Sequence, residues 1–258
     1  MTADVLFPTS AAEAATLYGD GAGITVVGGG TILLPEIAAG RVKPDRALML
    51  NRTGLDTLRV DGDRVVIGAM LPIAALLDAP DEALSIAASH IADREIRQTA
   101  TVGGNLAAGA ASDSQRGDLG APLIALAARV RSTGSGGERV EAVEEFLAGD
   151  RSQRLVLEIE YDRFERRTGA AGLRRRHAHS YAIAGVVACA RPDGSDLRVA
   201  VSGIGPTAVR CVSVEASRDA GDVLLDVEPV DDAVASADYR RAVLPKLVRE
   251  ALDQLELT

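Results

Sequence analysis

The sequence predicts an α+β protein, and three observations carry that reading. Short apolar, strand-like runs alternate with helical segments through residues 9–127, and strand-like runs then gather at 129–161. A charged, glycine-containing and weakly periodic segment at 163–179 marks a domain boundary. Beyond it, two more strand-like runs and a long helical stretch form a small sheet with helices.

The elements follow in order. Residues 9–18 read as a helix that Ser10 can cap, with Ala12, Ala15 and Leu17 on its apolar side. Residues 24–27 form a short strand, 34–39 start a helix, and 46–50 return as a strand. A hairpin runs from Leu58 through the turn Asp61-Gly62-Asp63 to Ile67. Residues 73–77, 83–90 and 118–127 are helical in pattern. Strands are expected at 129–131, 139–140 and 155–161, the last alternating Leu155, Leu157 and Ile159 against polar neighbours. After the boundary, 182–190 and 197–201 are strands, and 231–255 closes the chain as helices. There Val243, Leu247, Val248, Ala251 and Leu255 recur at helical spacing.

Composition narrows the function. A length of 258 residues suffices for two or three compact units with their own cores. The formal net charge of −9 argues against nucleic acid as a partner, because phosphate recognition needs a basic face. The two cysteines, Cys189 and Cys211, are too few to ligate an iron–sulfur cluster. Buried reduced thiols are expected in preference to a disulfide. There is no apolar run of membrane-spanning length and no basic-then-apolar leader, so a cytoplasmic location is expected.

Two glycine-rich turns are the most informative feature. One is Val27-Gly28-Gly29-Gly30-Thr31-Ile32-Leu33, the other Thr101-Val102-Gly103-Gly104-Asn105. Glycines allow positive φ and leave no Cβ to hold a ligand away, so successive N–H groups can converge on an anion such as a diphosphate. A dinucleotide fingerprint fits poorly, because Leu33 stands where its third glycine belongs. A phosphate loop is excluded, because no Gly-Lys pair occurs. Either turn alone could be a tight loop without a ligand. The pair points to one long anionic ligand gripped from two sides.

With Pro35 after the first turn and Arg97 before the second, the chain resembles the FAD-binding medium subunit of the molybdenum hydroxylases, the family of carbon monoxide dehydrogenase and xanthine dehydrogenase. Further matches follow in order: Gly117-Asp118-Leu119 leading into Ala121-Pro122-Leu123, His179-Ser180-Tyr181-Ala182, Val201-Ser202-Gly203-Ile204-Gly205-Pro206, and Ser236-Ala237-Asp238-Tyr239-Arg240-Arg241. The resemblance implies two α/β lobes clasping FAD (the PCMH-type fold), at about 1–55 and 56–165. A C-terminal domain of a small sheet and helices would occupy 166–258. It also implies an iron–sulfur small subunit and a molybdopterin large subunit as partners in a hetero-oligomer. Electrons would pass from those clusters through FAD to NAD, oxygen or a quinone-linked acceptor.

Site residues carry over position by position. The amides of Gly29, Gly30, Thr31 and Ile32, with the Thr31 hydroxyl, are expected at the FAD diphosphate, and Val27, Gly28 and Leu33 complete that turn. Where relatives often carry Asp or Ser, this chain has Ile32. Thr101, Val102 and the amides of Gly103, Gly104 and Asn105 are expected to face the diphosphate from the other side. Asp118, with Asp113 as competitor, would accept from a ribose hydroxyl or adenine amine; equally, Asp118 could be a helix N-cap. Tyr181 and Ile91 are candidates beside the flavin ring, with a half-buried tyrosine and an ordinary core residue as the plainer readings. The arginines Arg163, Arg166, Arg167, Arg174, Arg175 and Arg176 read as a solvated linker, or alternatively as a nucleotide- or partner-binding island. His90, His177 and His179 lack metal-ligand spacing, and neither a metal nor a catalytic nucleophile is expected. A free-standing flavoprotein of the same fold, or a non-catalytic nucleotide binder, are the alternatives.

Overall fold

A computed structural model describes residues 4–108, 118–175 and 181–256. The first unit runs β1 (Asp4–Leu6), α1 (Ala11–Tyr18), β2 (Ile24–Val27), α2 (Leu33–Ala38) and β3 (Arg46–Met49). Its parallel sheet has the order β1-β3-β2. Ser10 caps α1 by accepting from the Glu13 amide at 3.1 Å, as its side-chain chemistry predicts.

The second unit begins with the expected hairpin, β4 (Leu58–Asp61) and β5 (Arg64–Gly68). Four helices follow: α3 (Glu82–His90), α4 (Arg94–Thr99), α5 (Val102–Ala107) and α6 (Gly120–Ala125). Then come β6 (Arg129–Gly134), β7 (Arg139–Ala142), α7 (Val143–Ala148) and β8 (Arg154–Asp162). The antiparallel sheet has the order β4-β5-β8-β6-β7. Residues 73–77, expected as helix, lie in a 3-10 helix over Ile73–Asp78.

Central strand β8 departs from its predicted simple alternation. Its pairing with β6 shifts between Arg131 and Ser132, so Leu157 is an extra residue. Leu155 and Leu157 accordingly pack with Ala14, Tyr18, Leu48, Leu50 and Leu55 in a core shared with the first unit. Val156, Ile159 and Tyr161 join the main core instead. One strand thus holds two units together.

The third unit comprises β9 (Arg167–Arg174), β10 (Ala182–Ala190), β11 (Arg198–Ser202), β12 (Val209–Arg210), α8 (Val212–Ser217), α9 (Val223–Asp226) and α10 (Ala237–Asp253). Its antiparallel sheet has the order β12-β11-β10-β9. Every residue of β10 is buried, because both faces of the sheet are covered. Val187 and Cys189 enter the main core, whereas Ala184, Val186, Ala188 and Ala190 face α10.

The expected linker at 163–179 contains strand β9, paired along its length with β10. The solvated-linker reading is therefore corrected. Small residues made the segment look aperiodic, and packing explains one of them: a Cβ on Gly169 would meet the Ala251 carbonyl oxygen of α10 at 1.9 Å. Its arginines staple neighbouring elements. Arg167 donates to the carbonyls of Leu255 and Glu256, Arg175 to those of Ala233 and Val234, and Arg166 pairs with buried Asp81. Arg176 lies outside the described residues. Arg240, in the predicted terminal helix, is 1% exposed; it donates to Ile183 O at 3.0 Å and Asp232 Oδ2 at 2.9 Å.

Candidate functional site

After β2 the chain turns through Gly28, Gly29, Gly30, Thr31 and Ile32 into α2. Gly30 adopts φ +72°, which favours a residue without Cβ. The amides of Gly29, Gly30, Thr31 and Ile32 donate to no group among the described residues, and no side chain caps α2. The Thr31 hydroxyl likewise has no partner among them. Unspent donors on one turn are what an anion needs.

The second turn differs from expectation. It is the start of α5, capped by Thr101, whose Oγ1 accepts from the Gly104 amide at 3.2 Å. The Gly103 amide donates to Ala69 O at 2.8 Å and that of Asn105 to Thr101 O at 2.8 Å. The three amides expected at the diphosphate are therefore spent within the chain: Gly103 on the Ala69 carbonyl, Gly104 on the Thr101 cap, and Asn105 on the first helical bond. The Asn105 side chain retains capacity. Its Oδ1 accepts from the Leu119 amide at 3.0 Å, and its NH2 has no partner among the described residues.

The two turns meet. A Cβ on Gly28 would stand 2.9 Å from Thr101 Oγ1, and one on Gly103 would stand 2.7 Å from the Ala69 Cβ. Beside this contact lies a cavity of about 370 Å³. Gly28, Gly29, Gly30, Thr31, Ile32, Leu33, Thr101, Gly103, Gly104 and Asn105 all line it. Val27 and Val102 do not; both are buried and support the turns from behind.

Ile91, Asp118 and Tyr181 lie elsewhere. Burial raises the Asp118 carboxyl above the usual carboxylate range, with the Arg174 charge pulling it down. Burial and the same guanidinium lower the His90 pKa. Arg174 is paired in register with Ala182, next to Tyr181, which is 42% exposed. Arg174 therefore connects Asp118, the His90–Ile91 end of α3 and the Tyr181 strand start. Ile91 itself is buried in the main core. Asp118 is not a helix cap: α6 starts from Leu119 with no side-chain cap bond. Asp113, His177 and His179 lie outside the described residues. Among the described residues no cluster of His, Cys, Asp or Glu could hold a metal ion.

Two glycine turns around one cavity, with free amides on one side, define a nucleotide-binding protein of the two-lobed α+β class. The chain belongs to the family described as the FAD binding domain in molybdopterin dehydrogenase, which residues 1–160 match. It is similar to the carbon monoxide dehydrogenase medium chain of Hydrogenophaga pseudoflava, at 30% identity over 95% of this chain and 94% of the relative. The nicotine 6-hydroxylase medium subunit of Paenarthrobacter nicotinovorans is 27% identical over 95% of this chain and 94% of its own. A solved structure of the Hydrogenophaga carbon monoxide dehydrogenase superposes with a TM-score of 0.85 at 27% identity, covering 99% of this chain and 98% of that one. The protein is an oxidoreductase component and its cofactor is FAD.

The cavity fits that group. Free amides and a free hydroxyl on the first turn suit a diphosphate, and the unpartnered Asn105 amide faces the same space as a cavity-lining group. Sequence reasoning missed Ala69, Met70, Arg154, Leu155 and Val156, which also line the cavity. An arginine directly before the apolar run Leu155-Val156-Leu157 was the one available signal.

Proposed function

We propose that the cavity between the two turns holds the FAD diphosphate, and that the chain serves as the medium, electron-transferring subunit of a molybdenum hydroxylase. The observation that carries this is the row of unspent amides at Gly29, Gly30, Thr31 and Ile32 on the wall of the shared cavity. Thr31 and Asn105 add side-chain donors. Gly103 and Gly104 let α5 approach, and Val27, Gly28, Leu33, Thr101 and Val102 fix the shape of the wall. Ile91, Asp118 and Tyr181, gathered around Arg174, are assigned to the rest of the cofactor. The cofactor-binding part is 1–165, with lobes at about 1–55 and 56–165, and 166–258 forms the C-terminal domain.

When bound, FAD supplies the exchange between one-electron and two-electron carriers. The protein's part is to bind and orient it. The names of the relatives, which are medium chains and subunits, support partners of two kinds: an iron–sulfur small subunit and a molybdopterin large subunit. Electrons would enter from the former and leave to NAD, oxygen or a quinone-linked acceptor. No helix among the described residues is long and apolar enough to cross a membrane.

The test is an absorption spectrum of the purified chain, with the released cofactor identified by mass. FAD at one per chain supports the reading. A colourless protein that takes up no added FAD overturns it.

A further inference from the structure

One side chain in the cavity wall has no role in the reading above. Arg154, at the start of β8, is 8% exposed and lines the cavity together with both glycine turns. Its guanidinium makes five hydrogen bonds, all to uncharged oxygens. Nε donates to Ser132 Oγ at 3.1 Å, Nη1 to Ser135 O and Gly137 O at 3.0 Å each, and Nη2 to Ser132 O at 2.8 Å and Ser132 Oγ at 2.9 Å. No carboxylate among the described residues forms an ion pair with it. Burial lowers its pKa and the Arg139 charge lowers it further, while Glu141 and Tyr18 act on it through space in the opposite direction.

Buried charges are normally paired. Arg240 faces Asp232, and Arg166 faces Asp81. Arg151 is also buried without an acid partner, but it lies outside this cavity wall. Glu36, the other charged residue lining the cavity, is paired with Arg41. In a chain of net charge −9, the cavity wall thus includes one buried arginine that no acid among the described residues pairs.

We infer that Arg154 is the fixed positive charge that the FAD diphosphate neutralises. This rests on the placement of FAD proposed above. All five N–H donors are already engaged, so Arg154 does not clamp the phosphates. It acts through its field in a cavity of low polarity, where a charge is felt more strongly than in water. Charge, and not the shape of the fork, should therefore decide affinity.

The experiment measures FAD affinity by titration and the thermal unfolding of the FAD-free chain for wild type, R154K, R154Q and S132D. R154K keeps the charge, and R154Q keeps amide donors without it. S132D gives Arg154 an internal acid at its own hydrogen-bond partner. The expected result is FAD binding weakened about 10- to 100-fold in R154Q and S132D, and held within about threefold of wild type in R154K. Equal affinity in all four proteins overturns the inference. Equal loss in R154K and R154Q, tracking equal losses of melting temperature, also overturns it by leaving only a structural role for the fork. Should R154Q not fold, S132D decides alone, since an internal pair would lower FAD affinity without removing the arginine. A wild-type chain that takes up no FAD overturns the placement of FAD itself, and this inference with it.

Discussion

A Cβ on Gly29 would stand 1.9 Å from the carbonyl oxygen of Thr99. The backbones of the two turn regions are thus packed directly against each other, and the glycine is required by the protein's own fold before any ligand arrives. Gly29→Ala should therefore destabilise the FAD-free chain, by about 3 kcal/mol or more, because a backbone oxygen cannot rotate away. Thermal unfolding without cofactor checks this. An unchanged midpoint would mean that the turns can separate at no cost.

Thr31 is the converse case. Its hydroxyl has no partner among the described residues and it lines the cavity. Thr31→Ala should weaken FAD binding roughly tenfold, the scale of one hydrogen bond to a charged group, and leave the melting temperature of the FAD-free chain unchanged. A parallel loss of stability would assign Thr31 to the fold instead.

Asp81 and Arg166 form a buried pair at 3.4 Å, with side-chain exposures of 4% and 6%. Asp81 Oδ2 and Arg166 Nε have no hydrogen-bond partner. Removing one ion strands the other, so Asp81→Ala should cost about 3 kcal/mol in urea unfolding. The double change with Arg166→Met should cost less than the sum of the two singles. Simple additivity would show that the pair is not coupled.

Stability should depend on pH through Glu158. Burial alone would raise its carboxyl, but hydrogen bonds and charge from Arg131 and Arg59 outweigh burial and hold it below the glutamate model value of 4.5. The folded state thus prefers the ionised form. Its contribution is present above the unfolded pKa and is lost as pH falls through the folded value, in the window below 4.5. Glu158→Gln should cost about 1 kcal/mol at neutral pH, and its stability should fall less steeply than that of wild type in acid. Parallel acid-unfolding curves would rule this out.

Cys189 and Cys211 are free and buried. Burial pushes the Cys189 thiol up to about 11 and the Cys211 thiol up to about 12, the latter helped by Asp226 and Glu215. Native protein at mildly alkaline pH should resist iodoacetamide, and both cysteines should alkylate after unfolding, as read by mass. Rapid native labelling would place a thiol at the surface.

Most elements were legible because their residues state them locally. Ser10 before an apolar-sided segment gave α1, Asp61-Gly62 gave the hairpin, and the unbroken apolar run at 182–190 gave β10 to the residue. Strand β9 was not legible. Its Gly169, Ala170, Ala171 and Gly172 carry no period, and Gly169 is small to admit α10 and not to present an apolar face. The second glycine turn was misjudged for a related reason. Gly103 and Gly104 looked like a donor nest, yet whether an amide is free depends on which carbonyl lies opposite, and Ala69 belongs to another element.

By itself the sequence determined the class of the fold, the two glycine segments and the family they resemble, because backbone freedom and apolar period are properties of neighbouring residues. Only the tertiary structure decided that the two segments share one cavity, that the first offers its amides and the second its side chains, and that Arg154 stands in the wall without an acid partner. Those facts depend on contacts between residues distant in the chain. Burial and pairing, which set the energy of a charge or an N–H group, do not exist until the chain has folded.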